Sequence, residues 1–245
     1  MRANPITILV GAAALALLAS EPSLSQHTIH QPYDVETFGE FRQLMMAGDF
    51  TAKVGLNAAM ARHPTTGVGA LADARGEITI FDGKLIVSHG KTGVAEDANS
   101  ESAALLAMGS VAEWQSVRVE QDVAPEEIES TIVVAAKAHG IDPEVAFPFE
   151  VQGSIGPYVM HVNAAPIDGE HGMGLPMAVT VQSKGDRLDG MVAGLYASLD
   201  LMGVATHGGE RTHAHWISSD LASTAHLDRW GLKAGAILLL PKPVQ

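Results

Sequence analysis

The chain has 245 residues, of which 47% are apolar, and a formal charge of −13. These values exclude a disordered chain and indicate one or two folded domains with a substantial core. The sequence shows no cluster of lysine and arginine, so it lacks the basic patch of a nucleic-acid binder and offers no attraction to anionic lipid. Because there is no cysteine, disulfides are excluded and a metal site must use histidine and carboxylate ligands.

The first 25 residues predict a cleavable signal peptide. Arg2 precedes an apolar stretch of 14 residues, Ile6–Ala19, which suits the h-region of a signal but is short for a membrane span. The small residues Ser23 and Ser25 stand at −3 and −1 of a cleavage site before Gln26. An uncleaved anchor is the alternative. We therefore expect a secreted or periplasmic protein that is free of the membrane after cleavage.

A polar extension is expected over residues 26–37, followed by a folded domain over 38–245. Apolar side chains that include Phe41 and Leu44 recur at helical spacing within Val35–Met46, which predicts a helix. Gly48, directly beyond it, is a residue type that commonly ends helices.

A hairpin is predicted around Asp82 and Gly83. Apolar residues alternate on both sides of this dipeptide, in Ile78–Ile80 and Leu85–Val87, and Asp-Gly between alternating runs is a strong hairpin signal. The clearest helix is Ala124–His139, which has proline near its first position and two glutamates in its first turn.

The remaining segments are mostly strand-like and lie late in the chain. Few early helices and many late strands are typical of an α+β, or mixed α/β, protein with few helices. The predicted strands are Ser116–Val123, Val145–His161, Pro176–Gln182, Gly190–Ala197, Thr212–Ser218 and Ala236–Leu240.

Three histidines are close together near the C-terminus. His213 and His215 form an H-x-H pair, and His226 follows eleven residues after His215. In a strand, residues two apart point to the same face, so two imidazoles could share a metal ion and His226 could complete a set of three. Three histidines leave one tetrahedral position open, as in a catalytic zinc site, although other divalent transition metals also accept imidazoles.

Two other interpretations of these histidines remain open at this point. They could be surface residues on a polar strand, since a bare H-x-H is common. They could also belong to a cupin, a jelly roll that places H-x-H on a strand, with Asp220 as its acidic ligand. Of the other histidines, His207 is expected in an exposed turn, and His161 and His171 receive no role.

Four segments, in the same order along the chain, resemble the alpha-acetolactate decarboxylase family. The first is a short helix that ends in Gly-Asp, and the second is the "GEITIFDG" segment, Gly76–Gly83. The third is "DGMVAGLYA", Asp189–Ala197, and the fourth is "THAHWI" followed by "AHLDRW". The likeness covers roughly Phe38 to Pro241.

This resemblance implies two packed β-rich lobes, with a boundary near residues 165–185, and a metal site between them. It implies zinc held by His213, His215 and His226, and a catalytic role for Glu77. It also implies a small hydroxy-keto acid as substrate, and a homodimer is compatible with it. Interpretations without a catalytic role stay open as well. For example, Glu77 could be an exposed carboxylate on a strand.

The chain departs from the family pattern at two points. The family has an arginine that holds the substrate carboxylate, and "FEVQG" (Phe149–Gly153) places Glu150 at that position. A family glutamate in the C-terminal tail has no counterpart in the printed sequence. Arg211 and Arg118 are the replacements considered for the arginine, and Arg211 is the preferred catalytic candidate because it lies two residues before His213.

The function implied is a zinc-dependent decarboxylase that converts 2-acetolactate to acetoin and CO2. A metal can serve as the electron sink for the carbanion left by CO2, without an organic cofactor. The alternative is a relative that binds a metal or a small ligand without decarboxylation, because it has lost the arginine that binds the carboxylate.

Overall fold

The computed structural model describes residues 26–28, 33–90, 93–94, 98–164 and 179–243. The predicted signal peptide, residues 1–25, lies outside the described residues, as does His171. Within the described part of the chain, no helix combines the length and apolar character needed to cross a membrane.

Two β-sheets contain about half of the described residues. The first contains β1 Gln26–Thr28, β2 Glu36–Phe38, β3 Val54–Gly55, β4 Thr66–Leu71, β5 Gly76–Phe81, β6 Lys84–His89, β7 Gly93–Val94 and β8 Ser102–Gly109. The second contains β9 Trp114–Arg118, β10 Phe147–Ala164, β11 Val179–Gly185, β12 Leu188–Tyr196, β13 Thr212–Ile217, β14 Thr224–Leu232 and β15 Ile237–Pro241.

Helices are few and short. The α-helices are α1 Phe41–Ala47, α2 Leu56–Met60 and α3 Ile128–Ala138, with 3-10 turns at Ala72–Ala74, Ala98–Ser100, Pro125–Glu127 and Leu199–Leu201. The predicted β-rich fold with few helices is therefore confirmed.

The strand order shows how the strands that carry the histidines become neighbours. The first sheet runs β1-β2-β8-β4-β5-β6-β7, with β3 also on β8, and the second runs β12-β13-β14-β10-β15-β9, with β11 also on β10. Because β12 pairs with β10 as well as with β13, the strands β12, β13, β14 and β10 form a closed ring. This ring carries the histidine strands.

The two sheets share one core. A single cluster of buried side chains includes Val68 and Phe81 from the first sheet with Phe149, Val192 and Ile217 from the second. Burial of apolar surface on both sheets holds them face to face. The groups that project between the sheets are therefore the ones that can build a shared site.

The predicted hairpin is present and the predicted first helix is shorter than expected. Asp82 and Gly83 have φ of 47° and 70° between β5 and β6, as the turns of two-residue hairpins require. Within the predicted helix Val35–Met46, residues Glu36–Phe38 instead form strand β2, which pairs with β8, and the helix begins only at Phe41. The helix ends at Gly48, whose left-handed φ of 62° caps it.

Two predicted boundaries differ from those observed. The first sheet ends at Gly109 and the second begins at Trp114, whereas β10 and β11, which precede and follow residues 165–178 in the sequence, pair with each other in the second sheet. The region near 165–185 therefore does not separate the sheets. Residues 26–28, 36 and 37, which were placed in a polar extension, belong to β1 and β2 of the first sheet.

Candidate metal centre

Three buried histidines converge on the face of the second sheet that meets the first sheet. The alternation of β13 points His213 and His215 to one side, and the antiparallel register places His226 of β14 directly opposite His215. Their exposed fractions are 3%, 0% and 4%. One ligand atom from each lies within 4.8 Å of the others. They are not surface histidines, so this set could hold a metal ion.

The hydrogen bond of His213 fixes which of its nitrogens is free. Its Nδ1 lies 2.8 Å from the carbonyl oxygen of Ala205, which can only accept. Nδ1 therefore carries the proton, and Nε2 keeps the lone pair that a metal requires.

A chain of hydroxyl groups fixes the tautomer of His215. The Thr224 hydroxyl donates to the Trp216 carbonyl at 2.9 Å, so it accepts from the Thr79 hydroxyl that contacts it. Having donated to Thr224, Thr79 accepts from Nδ1–H of His215 at 3.0 Å. The lone pair of His215 is therefore on Nε2.

The spacing of His215 and His226 suits tetrahedral coordination. Nδ1 of His226 lies 3.3 Å from Nε2 of His215, and two nitrogens bound to one tetrahedral zinc would be about 3.3 Å apart. Burial, reinforced by the neighbouring imidazoles, lowers the pKa of both residues well below the ordinary value. Burial also lowers the pKa of His213 to about 3. All three rings are therefore neutral, as metal ligands must be.

Glu77 reaches the histidines from the first sheet. Its Oε1 accepts the backbone N–H of Asn163 at 2.9 Å, and its Oε2 lies 3.9 Å from Nε2 of His215. The residue is 2% exposed, and this burial raises its pKa to about 8. Glu77 is therefore a buried carboxyl beside the histidines and not an exposed strand residue.

His161 and Asp228 form a second part of the site that the sequence reasoning missed. His161 of β10 pairs across the sheet with His226. Its Nδ1 lies 2.8 Å from Oδ1 of Asp228, and its Nε2 lies 3.9 Å from Oε1 of Glu77. Burial opposes protonation of His161, but the hydrogen bond to Asp228 and the proximity of Glu77 outweigh it and raise the pKa.

Four of these groups, His213, His226, Glu77 and His161, line a cavity with a volume of about 230 Å³ together with Asp228, whereas His215 is absent from the described lining. We call the part of this cavity on the side of α1 and β4 the apolar chamber. It is lined by Phe41, Leu44, Met45, Phe50, Ala70 and Leu105. His207 also lines the cavity, with its ring centroid 3.9 Å from that of Phe41. The expectation of an exposed turn was therefore wrong for His207, because its ring packs against α1.

Arg211 does not reach the cavity. Its guanidinium donates to the carbonyls of Ala197 and Pro143 at 2.8 and 2.5 Å and lies over the ring of Tyr196, 4.6 Å from its centroid. Arg211 precedes β13 and is absent from the described cavity lining. Arg118 is also absent from it and is mostly exposed beside Glu120. Neither arginine takes the predicted place next to the histidines.

Glu150 does not point into the cavity either. Its Oε1 accepts a hydrogen bond from the Thr66 hydroxyl at 2.7 Å, close to the hairpin turn at Asp82, and the residue is absent from the described lining. Burial raises its pKa to about 7. The placement of Glu150 at the arginine position was therefore wrong, since its carboxyl packs against the start of β4.

Asp220 is not near the histidines. It accepts from the Ser218 hydroxyl in the turn between β13 and β14, so the cupin ligand set is not formed.

Comparison with known proteins supports the fold and the family. The family model described as alpha-acetolactate decarboxylase matches residues 39–239. The alpha-acetolactate decarboxylase of Bacillus subtilis strain 168 has a similar structure, with a TM-score of 0.67, 14% identity and 84% of each chain covered. The acetolactate decarboxylase of Bacillus subtilis subspecies spizizenii gives 0.64, with 13% identity and 84% of each chain covered.

A protein of unknown function from Staphylococcus aureus, described as similar to alpha-acetolactate decarboxylase, is also similar, with a TM-score of 0.62, 15% identity and 82% of each chain covered. No curated protein matches the chain in sequence.

Proposed function

The chain belongs to the alpha-acetolactate decarboxylase family, and on that premise we propose that it is a metal-dependent decarboxylase that converts 2-acetolactate to acetoin and CO2. The observation that carries the proposal is the meeting of three neutral, buried imidazoles from one sheet with a buried carboxyl from the other. The donor set of three histidines fits a divalent transition metal, and we propose zinc.

The reaction requires stabilisation of a carbanion. The bond between the carboxylate carbon and C2 of the substrate breaks, CO2 leaves, and the electron pair spreads from C2 onto the neighbouring ketone. A divalent cation held by His213, His215 and His226 would stabilise this negative charge as a Lewis acid. The product then forms when one proton is added to carbon.

Glu77 is the group in this chain that we assign to the proton transfer. It lies between His215 and His161, each 3.9 Å away, and the Asn163 amide fixes one of its oxygens. A carboxyl that is held in place beside the reacting carbon can deliver a proton with little reorganisation. The hydrogen bond from His161 to Asp228 orients the imidazole that faces this carboxyl.

The described lining of the cavity contains neither arginine nor lysine. We therefore assign binding of the substrate carboxylate to the imidazole of His161, which faces the cavity, in place of Arg211. The same observation favours a second candidate function, binding of a neutral hydroxy-ketone at the metal without decarboxylation. Glu150 gives no support to that alternative, since it lies outside the cavity.

The decisive experiment measures acetoin and CO2 formed from racemic 2-acetolactate by the zinc-loaded protein. The test variant is His226→Ala, and the matched control is His63→Asn. His63 is exposed and has a φ of 57°, a conformation that asparagine tolerates. Turnover that is lost only in His226→Ala supports the proposal. A wild-type protein that binds metal and acetoin yet releases no CO2 would favour the second candidate.

A further inference from the structure

The cavity has two chemically different ends. At one end, His213, His226, Glu77, His161 and Asp228 present polar atoms. At the other end, the apolar chamber presents six side chains without a polar group. These two regions share one cavity of about 230 Å³, so a molecule held at the histidines also faces the chamber.

The chamber begins directly beside the proposed ligands. The ring centroid of Phe41 lies 5.4 Å from that of His213 and 6.2 Å from that of His226. Leu44, Ala70 and Leu105 pack with Phe41 in one buried cluster. If the substrate binds at the metal, an alkyl or aryl group attached to its reacting carbons would therefore contact the apolar chamber directly.

The chamber wall is held in place by the backbone. The N–H of Phe41 donates to the carbonyl of Val204 at 2.8 Å, and the N–H of Arg42 donates to Gly203 at 3.0 Å. The same loop supplies the Ala205 carbonyl that orients His213. Helix α1 and the histidine are thus positioned by a common segment, and the space between them is part of the fold.

Acetolactate matches only the polar end of this cavity. It offers two methyl groups as apolar surface, so it would leave much of the chamber to water, which gains no hydrogen bonds there. A substrate with an anionic group in addition to its carboxylate is disfavoured, because Glu77 and Asp228 are acidic and the described lining has no lysine or arginine. The part of the substrate that fills the chamber should be uncharged and apolar.

We propose that the preferred substrate is a 2-hydroxy-3-oxo acid in which one methyl group of acetolactate is replaced by a longer alkyl or an aryl group that occupies the apolar chamber. The reaction assigned to this molecule rests on the proposed function. The preference for apolar bulk rests on the cavity and can be tested without turnover.

The test compares two homologous series on the zinc-loaded wild-type protein. The first series contains acetolactate and acids in which either methyl group is extended to propyl, pentyl or phenyl, and kcat/KM is measured. The second contains the corresponding hydroxy-ketone products, and Kd is measured by calorimetry. Each methylene that enters the chamber should increase kcat/KM and tighten binding about fourfold until the chamber is full.

A chamber-filling variant provides the structural control. In Leu44→Trp, kcat/KM and Kd should no longer change with chain length. If this variant shows no cooperative melting transition and is therefore unfolded, Leu105→Phe replaces it. Val134→Trp introduces the same side chain on α3, where Val134 is 67% exposed, and should keep the wild-type dependence.

The outcomes separate the two proposals. Tighter binding of longer hydroxy-ketones without any decarboxylation supports the chamber and rejects the proposed reaction. Decarboxylation of acetolactate with no gain for longer homologues in either series overturns the chamber proposal and leaves the reaction standing. A chain-length dependence that persists unchanged in Leu44→Trp and Leu105→Phe also overturns it.

Discussion

Oε2 of Glu77, on the first sheet, lies 3.9 Å from Nε2 of His215, on the second. The site is therefore built from both sheets, and neither sheet alone contains both groups. A cation bound by the histidines would lie next to a buried carboxyl from the opposite sheet. Binding of the metal should consequently stabilise the packed arrangement of the two sheets as well as the local strands.

The first prediction concerns metal content and thermal stability. His215→Ala should reduce bound zinc from about one equivalent to a small fraction and lower the Tm of the metal-treated protein, because binding energy adds to folding energy. His63→Asn should retain both values. Elemental analysis and calorimetry check this, and a His215→Ala protein with full metal content would contradict the assignment.

Hydroxyl groups behind His215 should tune metal affinity. Thr79→Val keeps the side-chain shape but removes the hydroxyl that accepts from His215, so we expect metal binding to weaken by about tenfold. Thr66→Val removes a buried hydroxyl that donates to Glu150 and serves as the matched control. Competition with a zinc chelator measures both, and equal affinities in the two variants would argue against the hydroxyl chain.

Much of this fold could be predicted from sequence, because its signals are local. The Asp82–Gly83 dipeptide predicts the hairpin, and the alternation of side chains in β13 places His213 and His215 on one face. The short distance along the chain also makes His226 a candidate third ligand, although the sequence does not predict its strand, β14, as a strand. Strand β8 was also missed, since a run of apolar residues without alternation marks a strand buried on both faces only weakly.

The missed residues depend on pairings between distant segments. His161 joins the site because β10 pairs with β14, 65 residues further along the chain, and the sequence near His161 contains no sign of this partner. Arg211 is the opposite case, a residue that the sequence places at the site and the structure places outside it. Its distance of two residues from His213 suggested a shared face, but it precedes the strand and its guanidinium is held by carbonyl groups.

Glu77→Gln should separate catalysis from metal binding. The amide oxygen can still accept from Asn163, and the three imidazoles are unchanged, so zinc content should remain near one equivalent. Turnover of the best substrate should fall by about 10²–10⁴-fold, since the carboxyl can no longer exchange a proton. Single-turnover kinetics with parallel metal analysis tests this. Retained activity would remove Glu77 from the proton transfer.

Export remains a prediction from the sequence. Ile6–Ala19 and the small residues Ser23 and Ser25 place cleavage before Gln26. We expect N-terminal sequencing of protein from the native cell to begin at or near Gln26, in a fraction outside the cytoplasm. Lengthening the apolar stretch with leucine should convert the signal to an uncleaved anchor. Mature protein that still begins at Met1 or Arg2 would refute cleavage.

Glu150 should make stability depend on pH in a defined direction. Burial raises its folded-state pKa from 4.5 to about 7, so the folded state binds the proton more tightly than the unfolded state. The stability that this carboxyl contributes is therefore fully present below about pH 4.5 and is lost as the pH rises through about 7.

Replacing Glu150 isolates this contribution. Glu150→Gln keeps an acceptor for Thr66 and cannot ionise, so above pH 7 it should be more stable than the wild type by a few kcal/mol, with the difference shrinking towards pH 5. Glu120→Gln, at a carboxyl that is mostly exposed, should follow the wild type. Denaturant unfolding of all three proteins between pH 5 and 8.5 measures the effect. A Glu150→Gln curve parallel to the wild type would show that this carboxyl does not titrate in that range.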